Sequence, residues 1–340
     1  MAKTAPLEVG TSEERIAHGQ QRLAVAAAAE RQLAAVAELD AQLAWVVVLL
    51  PLAGFLAALA LPLLGHPVTL VDLGCFAVMY VLTMAGIEIG YHRLFAHRSY
   101  KTTTPVQALL IVLGSMAFQG PVIWWVATHR RHHDRTERSG DPHSPYLQSP
   151  RKTWSGFVFS HHGWLFNGAS TRPPGWALYV SDLYREPVIF KLHMSYFQWL
   201  VLGMVIPAVA DALISHSWFG LVSGFLWGGL ARVFWSNQFV WGLNSVAHLW
   251  GRRAFPDRFD QSRNNLWLVL PTLGQGWHNN HHAFPGSAVA GFERGQIDPG
   301  AWMIKGLRAA RLAWDVKVPS GDVIAAKKRA SSTAHFYEET

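Results

Sequence analysis

The sequence predicts an all-α integral membrane protein, with four transmembrane helices in two hairpins under a cytoplasmic, histidine-rich cap. Three observations lead to this prediction. Only 15% of the 340 residues are charged, against roughly 25% in ordinary soluble domains. Several long segments are strongly apolar, and clusters of histidine lie close to their ends. Together these features indicate helices that span lipid and a polar site at the membrane surface.

Four apolar segments are long enough to cross about 30 Å of hydrocarbon. They occupy residues 43–64, 68–91, 194–213 and 218–243. Short turns join them in pairs, and neither turn contains Lys or Arg, whereas the stretch 92–193 is rich in both. The positive-inside rule therefore places both termini, the middle segment and the histidine clusters in the cytoplasm.

A further apolar stretch, at about 105–126, complicates this count. A helix that crossed the membrane there would separate the first two histidine clusters. We therefore expect an interfacial or re-entrant helix, with Gly114, Gly120 and Pro121 as bending points.

The ends of the chain differ in composition from the apolar domain, which we assign to residues 43–315. Residues 1–42 are rich in alanine and charge, and we expect a cytoplasmic lead-in that is partly helical or disordered. Residues 299–314 have the spacing of an amphipathic helix that rests on the membrane, with a packed cap helix as the alternative. Residues 316–340 form a polar tail, predicted to be disordered or loosely held.

Eight histidines fall into three clusters with related spacing, and a ninth stands alone. They are His92 and His97; His129, His132 and His133; His278, His281 and His282; and the single His248. Imidazole is a common neutral metal ligand, and side chains three or four residues apart share one face of a helix. One such cluster is as readily a polar surface helix as a metal site. Three clusters with similar spacing argue against coincidence.

Two further polar residues are predicted to belong to the same site. Asn244 lies four residues before His248, so both should face the metal, although an amide there could simply bind helix-end carbonyls. Glu88 lies one turn before His92 in an apolar segment, where a carboxylate is costly unless it is paired. We expect it to orient a liganding histidine from behind.

The available donors restrict the metal and the partners. The only cysteine is Cys75, so an internal iron–sulfur cluster is excluded. Structural zinc needs four ligands, and calcium or magnesium prefers oxygen. About ten neutral donors fit two iron ions with open positions for O2, although zinc and manganese remain alternatives. The net charge of +7 comes from basic residues beside apolar segments, which indicates lipid headgroups rather than nucleic acid.

These motifs, taken in order, resemble the membrane fatty-acyl desaturase family, and especially its stearoyl-CoA-desaturase-like, delta-9 branch. The runs that carry the resemblance are GYHRLFAHRSY (90–100), HRRHH (129–133), GDPHSP (140–145), NSVAH (244–248) and GWHNNHHAFP (276–285). The resemblance implies a four-span bundle in which the nine histidines hold a di-iron centre and Asn244 holds one iron through a water molecule.

The implied reaction uses O2 and two electrons to introduce a cis double bond, near carbon nine, into a saturated acyl chain. Such a chain must lie in a dry, bent tunnel that fixes which carbon faces the metal. Gln119 and Trp125 match family positions near the bend. From their spacing on the second span, Phe76 and Tyr80 are predicted to close the far end of the tunnel, with plain helix packing as the alternative.

Two departures from the family pattern concern the substrate and the metal. Animal members carry Arg-Asp before the second histidine cluster, where this chain has Ala127 and Thr128. The acyl carrier could therefore be CoA, acyl-carrier protein or a lipid. Gln275 replaces a glutamate before the third cluster, and we expect it to tune the metal from behind the ligands.

No haem-binding or dinucleotide-binding module is recognisable, so electrons should come from a separate ferredoxin, rubredoxin or cytochrome with its reductase. Arg130, Arg131 and Arg135 are predicted to form its landing surface. Two other functions remain open: a di-iron hydroxylase or ketolase acting on a lipid or alkane, and a non-catalytic membrane protein that binds metal or haem.

Overall fold

The computed structural model describes residue 36, residues 38–147 and residues 151–338, and this part of the chain is almost entirely helical. Helix α1 (Glu38–Leu64) ends in a 3-10 turn, Leu61–Leu64. Helix α2 (Leu70–Ala85) continues as a π-helix, Gly86–Ala96. The predicted lead-in lies largely outside the described residues, and its last residues belong to α1, which begins before the predicted boundary at residue 43.

The remaining α-helices of the described chain are four to twenty residues long, and two short strands pair with each other. In chain order they are β1 (Lys101–Thr102), α3 (Thr104–Ser115), α4 (Val122–Arg135), α5 (Trp154–His161), α6 (Gly168–Thr171), α7 (Ser181–Tyr184), α8 (Pro187–Met194), α9 (Tyr196–Ser215), α10 (Phe219–Gly224), α11 (Arg232–Leu249), α12 (Leu266–Val269), α13 (His278–Ala283), α14 (Pro299–Ala309), β2 (Ala313–Trp314) and α15 (Gly321–Glu338). A second π-helix, Phe225–Ala231, joins α10 to α11.

Three helical segments in the described part are long and apolar enough to cross a membrane: Glu38–Leu64, Leu70–Ala96 and Tyr196–Ser215. The fourth predicted span corresponds to α10, the second π-helix and α11, which form an uninterrupted helical run. Local signals explain where the first hairpin turns. Gly65 ends α1 in the left-handed region at φ 86°, and the Thr69 side chain caps α2 through Asp72.

The segment at 105–126, predicted to be an interfacial or re-entrant helix, is two helices, α3 and α4, joined by a tight turn at two of the three predicted bending points, Gly120 and Pro121. Phe118 and Gly120 have positive φ angles of 61° and 93°, and Pro121 precedes α4, so the chain reverses here. Gly114 is not a bending point. It lies within α3, where a Cβ atom would stand 2.6 Å from the ring of Tyr91.

The cap is built around the first π-helix, whose eleven residues are all buried. Helix α14 packs against it through Ala301 and Ile304, so the packed-cap alternative holds for this helix. The expected helix over 299–314 ends earlier than predicted, since Trp314 lies in β2, which pairs antiparallel with β1.

Within the predicted polar tail, residues 321–338 form a helix, α15. Two lysines fasten this helix to the cap. Lys327 donates a hydrogen bond to the Ala283 carbonyl, and Lys328 pairs with Glu293.

Close glycine contacts set the distance between α2 and α3, which determines how the π-helix is held. A Cβ atom on Gly86 would stand 2.1 Å from the backbone nitrogen of Gly114, whereas one on Gly74, in the same helix, would meet nothing within 4 Å. Gly86→Ala should therefore lower the free energy of unfolding by about 1–3 kcal/mol through overpacking. Gly74→Ala should change it by less than about 1 kcal/mol.

The measurement is the midpoint of thermal unfolding of the purified protein in detergent, monitored by fluorescence-detection size-exclusion chromatography. Equal midpoints for the two alanine variants would show that α2 and α3 are not held by this contact.

Candidate metal centre

All nine predicted histidines converge in the cap, although they come from four separate parts of the chain. The first π-helix and its end supply His92 and His97, α4 supplies His129, His132 and His133, the end of α11 supplies His248, and α13 supplies the last three. Eight of them form two groups, and within each group one nitrogen atom from every ring lies within 4.8 Å of the others. Group A is His92, His97, His129 and His281. Group B is His132, His248, His278 and His282.

Several Nε2 atoms face each other at short range within these groups. The separations are 3.1 Å between His92 and His281, 2.7 Å between His97 and His129, and 3.0 Å between His248 and His278. His133 stands between the groups, with its Nε2 atom 2.9 Å from that of His281 and its ring 4.5 Å from that of His282. One continuous cluster of imidazoles therefore joins the two groups.

The π-helix is what allows His92 and His97 to share group A. They are five residues apart, and on an α-helix of 3.6 residues per turn they would point about 140° away from each other. A π-helix bonds residue i to i+5, and the His97 amide donates to the His92 carbonyl at 3.1 Å. Their rings consequently lie only 4.9 Å apart.

Four carboxylates hold ligand rings from behind. Each binds the Nδ1 atom of one histidine: Glu88 to His92 at 2.7 Å, Glu137 to His248 at 2.7 Å, Asp141 to His132 at 3.0 Å and Asp260 to His282 at 3.0 Å. A carboxylate on Nδ1 fixes the ring orientation and directs the Nε2 lone pair into the group. Group B has three such partners and group A has one.

Glu88 also bridges the metal ligands to the rest of the cap. Its second oxygen accepts a hydrogen bond from Arg93 Nε at 2.7 Å, and Arg93 in turn binds Asp298 and the Ala288 carbonyl. All three charged side chains are buried. The ionic network therefore ties His92 to α14 and to the loop that precedes it.

The donor atoms fit metal ions. Among the described residues, the Nε2 atoms of His132 and His282 are buried and have no hydrogen-bond partner, although the Nδ1 atom of each is bound to a carboxylate. A buried lone pair without a partner is costly. Cations inside the two groups would satisfy these atoms and the opposed Nε2 pairs together.

Burial keeps most of these imidazoles neutral, as ligands must be. It lowers the pKa of His97, His129, His133, His278 and His281 well below the ordinary value, and neighbouring histidines lower it further. His248 is different, because Glu137 outweighs the effect of burial and raises its pKa. Burial opposes the charged form of Asp260, but His282 outweighs it and holds the pKa of Asp260 below its usual range.

A largely apolar cavity of about 180 Å³ opens beside the groups. Its walls come from α1, the α3–α4 turn, α4, α9 and α11. At the histidine end they include Trp125, His129, His143 and Asn244, and at the apolar end Val47, Phe118 and Leu200. Asp40 and Arg172, paired at 2.9 Å, stand at its polar rim.

The predicted substrate residues separate into two sets. Gln119 and Trp125 line the cavity; Gln119 donates to Asn237 at 2.6 Å, and Trp125 stacks on His129 with ring centroids 4.9 Å apart. Phe76 and Tyr80 do not line it. They stack on each other, and the Tyr80 hydroxyl donates to the Pro271 carbonyl, which is the plain packing role.

Gln275 and two of the arginines predicted to form a landing surface have surroundings that the sequence did not indicate. Gln275 is buried, and its Nε2 atom has no hydrogen-bond partner among the described residues. Arg130 and Arg131 are not a landing surface, because both turn inward. Arg130 donates to the carbonyls of Phe95 and Ala96 and pairs with Asp182, and Arg131 is 4% exposed.

The sequence analysis missed Glu137, Asp141, Asp260 and His143. Asp141 and His143 stand in the quoted GDPHSP run, which was the available signal, while Glu137 follows the second cluster by four residues. Asp260 carries no local signal, since it reaches His282 from a loop more than twenty residues earlier.

Comparison with known proteins identifies this site. The family model for fatty acid desaturases matches residues 67–290. The chain belongs to the fatty acid desaturase family. It is an oxidoreductase and a membrane protein of lipid metabolism, and the resemblance drawn from the histidine motifs is confirmed.

Three curated relatives illustrate the range of this family. The chain is 42% identical to a hex-5-enoyl-[acyl-carrier protein] acetylenase of Moorena producens (strain JHB), over 83% of this chain and 87% of the relative. It is 36% identical to the palmitoyl-monogalactosyldiacylglycerol delta-7 desaturase of Arabidopsis thaliana, over 71% and 61%. It is also 36% identical to delta-9 acyl-lipid desaturase 1 of the same plant, over 72% and 74%.

Removal of the carboxylate behind His248 should weaken metal binding more than it alters the fold. Glu137→Ala frees the His248 ring, and loss of such a partner typically costs 10–100-fold in metal affinity. We expect a lower metal content after dialysis against a chelator, measured by mass spectrometry of the purified protein. Glu186→Ala, at an exposed carboxylate before α8, is the control. Equal metal retention in both variants would rule out this role for Glu137.

Proposed function

We propose that this desaturase uses a di-iron centre, O2 and two external electrons to introduce a cis double bond, near carbon nine, into a saturated fatty-acyl chain. The observation that carries the proposal is the pair of histidine groups, with unpartnered Nε2 atoms, at the wall of an apolar cavity. Membership of the family supports desaturation as the reaction. The nitrogen donors support a bound metal, and the apolar cavity supports a fatty-acyl substrate.

The reaction favours iron over zinc, because zinc has no redox chemistry and desaturation is an oxidation. Two groups of four imidazoles supply enough donors for two ions. A set of neutral nitrogens around two ions also leaves positions for O2 and water, and Asn244, which lines the cavity, would hold one ion through water.

The overall reaction balances with one O2 per double bond. Two adjacent methylenes lose two hydrogens with two electrons, a donor supplies two more electrons, two protons are taken up, and O2 becomes two waters. The iron pair would supply the oxidising power that amino-acid side chains lack. Since the only cysteine is Cys75, the two donor electrons come from a separate protein.

The residues of the chain would hold the acyl group still and dry beside the metal. Trp125 stacks on His129, and both side chains line the cavity. Gln119 and Asn237 bind each other, and Asn237 donates to the Val47 carbonyl, so the polar atoms in this wall are satisfied. An alkyl chain lying along these walls would present a fixed pair of methylenes.

The membrane arrangement we propose has four crossings. Helices α1 and α2 form one hairpin, and α9 with the run from α10 to α11 forms the other. Arg232 lies inside the fourth crossing, where it is fully buried and donates to the carbonyls of Gly228, Met116 and Gly203. Both termini and the cap would face the cytoplasm.

The acyl carrier we propose is acyl-carrier protein. The Moorena relative acts on such a substrate by its name. At the cavity rim Arg172 is already paired with Asp40, and Ala127 and Thr128 replace the charged pair of the animal enzymes, so the described rim offers little to the phosphates of CoA. A lipid-linked chain is the second candidate, by the names of the Arabidopsis relatives.

Expression in a host that lacks unsaturated fatty acids tests the activity. The wild-type chain should restore growth and give a new cis-monoenoic acid, whose double-bond position is read by gas chromatography and mass spectrometry. His281→Ala should give none, while His66→Ala, in the turn between α1 and α2, should behave as wild type. A hydroxylated or keto product would identify an oxygenase instead.

The apolar end of the cavity should set the chain length. Leu200 lines it, whereas Leu202, two residues later on α9, is exposed and does not. Leu200→Trp should shift the product profile toward chains shorter by two or more carbons, because the larger ring fills the space that the methyl end of the chain needs. Leu202→Trp should leave it unchanged. An unaltered profile in Leu200→Trp would place the methyl end elsewhere.

A further inference from the structure

We propose that residues 251–263, the loop between α11 and α12, form with Arg138 the docking surface for an acidic one-electron carrier protein. Electrons would enter group B through Asp260 and His282. This inference rests on the proposed function, in which the two donor electrons come from outside the chain. We call this loop and Arg138 the entry surface.

An exposed phenylalanine marks its centre. The Phe259 side chain is 55% exposed, and the guanidinium carbons of Arg138 and Arg258 lie 5.8 Å and 5.5 Å from its ring centroid. Cation–π attraction of this kind holds the ring between two positive charges. Aromatic and arginine side chains are the residues most enriched at the centres of protein interfaces.

Further positive charge lies on and beside the loop. The loop carries Arg252, Arg253, Arg258 and Arg263 against Asp257 and Asp260, and Lys152 lies near Arg263. Burial lowers the pKa of Lys152 and of Arg253, and the nearby Arg263 lowers both further, so like charges crowd together here. Such a patch attracts an acidic partner and speeds its association.

The acidic residues of the loop are engaged within it. Asp257 accepts hydrogen bonds from the backbone amides of Phe259 and Asp260. Asp260 uses one oxygen for the Ser262 amide and the other for His282. Their side-chain oxygens therefore support the loop and the His282 ring.

The path from this surface to the ligand is short. Phe259 is the chain neighbour of Asp260, whose Oδ2 atom lies 3.0 Å from the Nδ1 atom of His282. The Nε2 atom of the same ring belongs to group B. A carrier seated on Phe259 would be separated from a group B ligand by one side chain and one hydrogen bond.

The loop is also fixed relative to the metal ligands. Arg253 donates to the carbonyls of Asp257 and Asp260, and Phe255 and Asn279 exchange two hydrogen bonds. Asn279 follows His278 on α13. Helix α13, which supplies three of the histidines, would therefore also fix the distance between a docked carrier and the metal.

Two other exposed arginines near the histidine groups are weaker candidates. Arg98 follows His97 but is ion-paired with Asp182, which also binds the largely buried Arg130. Arg135, which was predicted to belong to a landing surface, is ion-paired with its neighbour Asp134. The entry surface adds an exposed aromatic ring, Phe259, next in the chain to Asp260.

The test uses the full-length, metal-loaded protein in lipid nanodiscs and an acidic plant-type [2Fe–2S] ferredoxin as the probe. The dissociation constant is measured by biolayer interferometry at low and high ionic strength for wild type, Arg258→Glu, Phe259→Ala and the control Arg308→Glu on exposed α14. We expect Arg258→Glu to weaken binding about tenfold at low salt, with the difference shrinking at high salt. Phe259→Ala should weaken it about tenfold at both. A dissociation constant equal to that of Arg308→Glu in both variants would overturn the docking surface.

A second readout separates this inference from the proposed function. Product formation is measured with electrons from ferredoxin and from a reduced viologen dye, and the ratio of the two should fall in Arg258→Glu but not in Arg308→Glu. A wild-type protein that forms no alkene with either source would refute the proposed function, while the binding constants would still decide the docking surface. An unchanged ratio and unchanged binding, with active wild type, would refute the docking surface alone.

Discussion

The architecture of the cap depends on the gathering of nine imidazoles in one buried volume. Several present Nε2 atoms to each other at about the distance of a hydrogen bond. Carboxylates accept the Nδ1–H of four of them, so the Nε2 lone pairs of those four rings point inward. Cations inside the two groups would satisfy these lone pairs. Helices from four parts of the chain bring the rings together.

The ligands themselves could be predicted from the sequence because their chemistry and their helical spacing are both local. The carboxylates behind them could not be predicted in the same way. Glu88 was found from its position one turn before His92, but Asp260 meets His282 only through the path of a loop. Phe76 and Tyr80 lie outside the walls of the cavity, because distance along α2 says nothing about which face the cavity occupies. The cavity follows α9 and the α3–α4 turn, where the chain reverses at the predicted bending point Gly120.

The two histidine groups are not equivalent in their surroundings. Three of the four group B rings are backed by a carboxylate, against one in group A. Anionic partners raise the basicity of imidazole and would favour the more highly charged state of a bound metal. His129 of group A lines the cavity beside Trp125, whereas Asp260 joins group B to the loop at 251–263. In the proposed function, this asymmetry would give the centre one side suited to the substrate and another suited to water-soluble partners.

The π-helix at Gly86–Ala96 has a consequence for how such a protein can change over time. It bonds residue i to i+5, a pattern that is rare among helices. With one residue fewer between them, His92 and His97 would stand four apart, a spacing that shares one face on an ordinary α-helix. With the present spacing, a substitution that converted this stretch to α-helix would turn the two rings away from each other without touching either histidine.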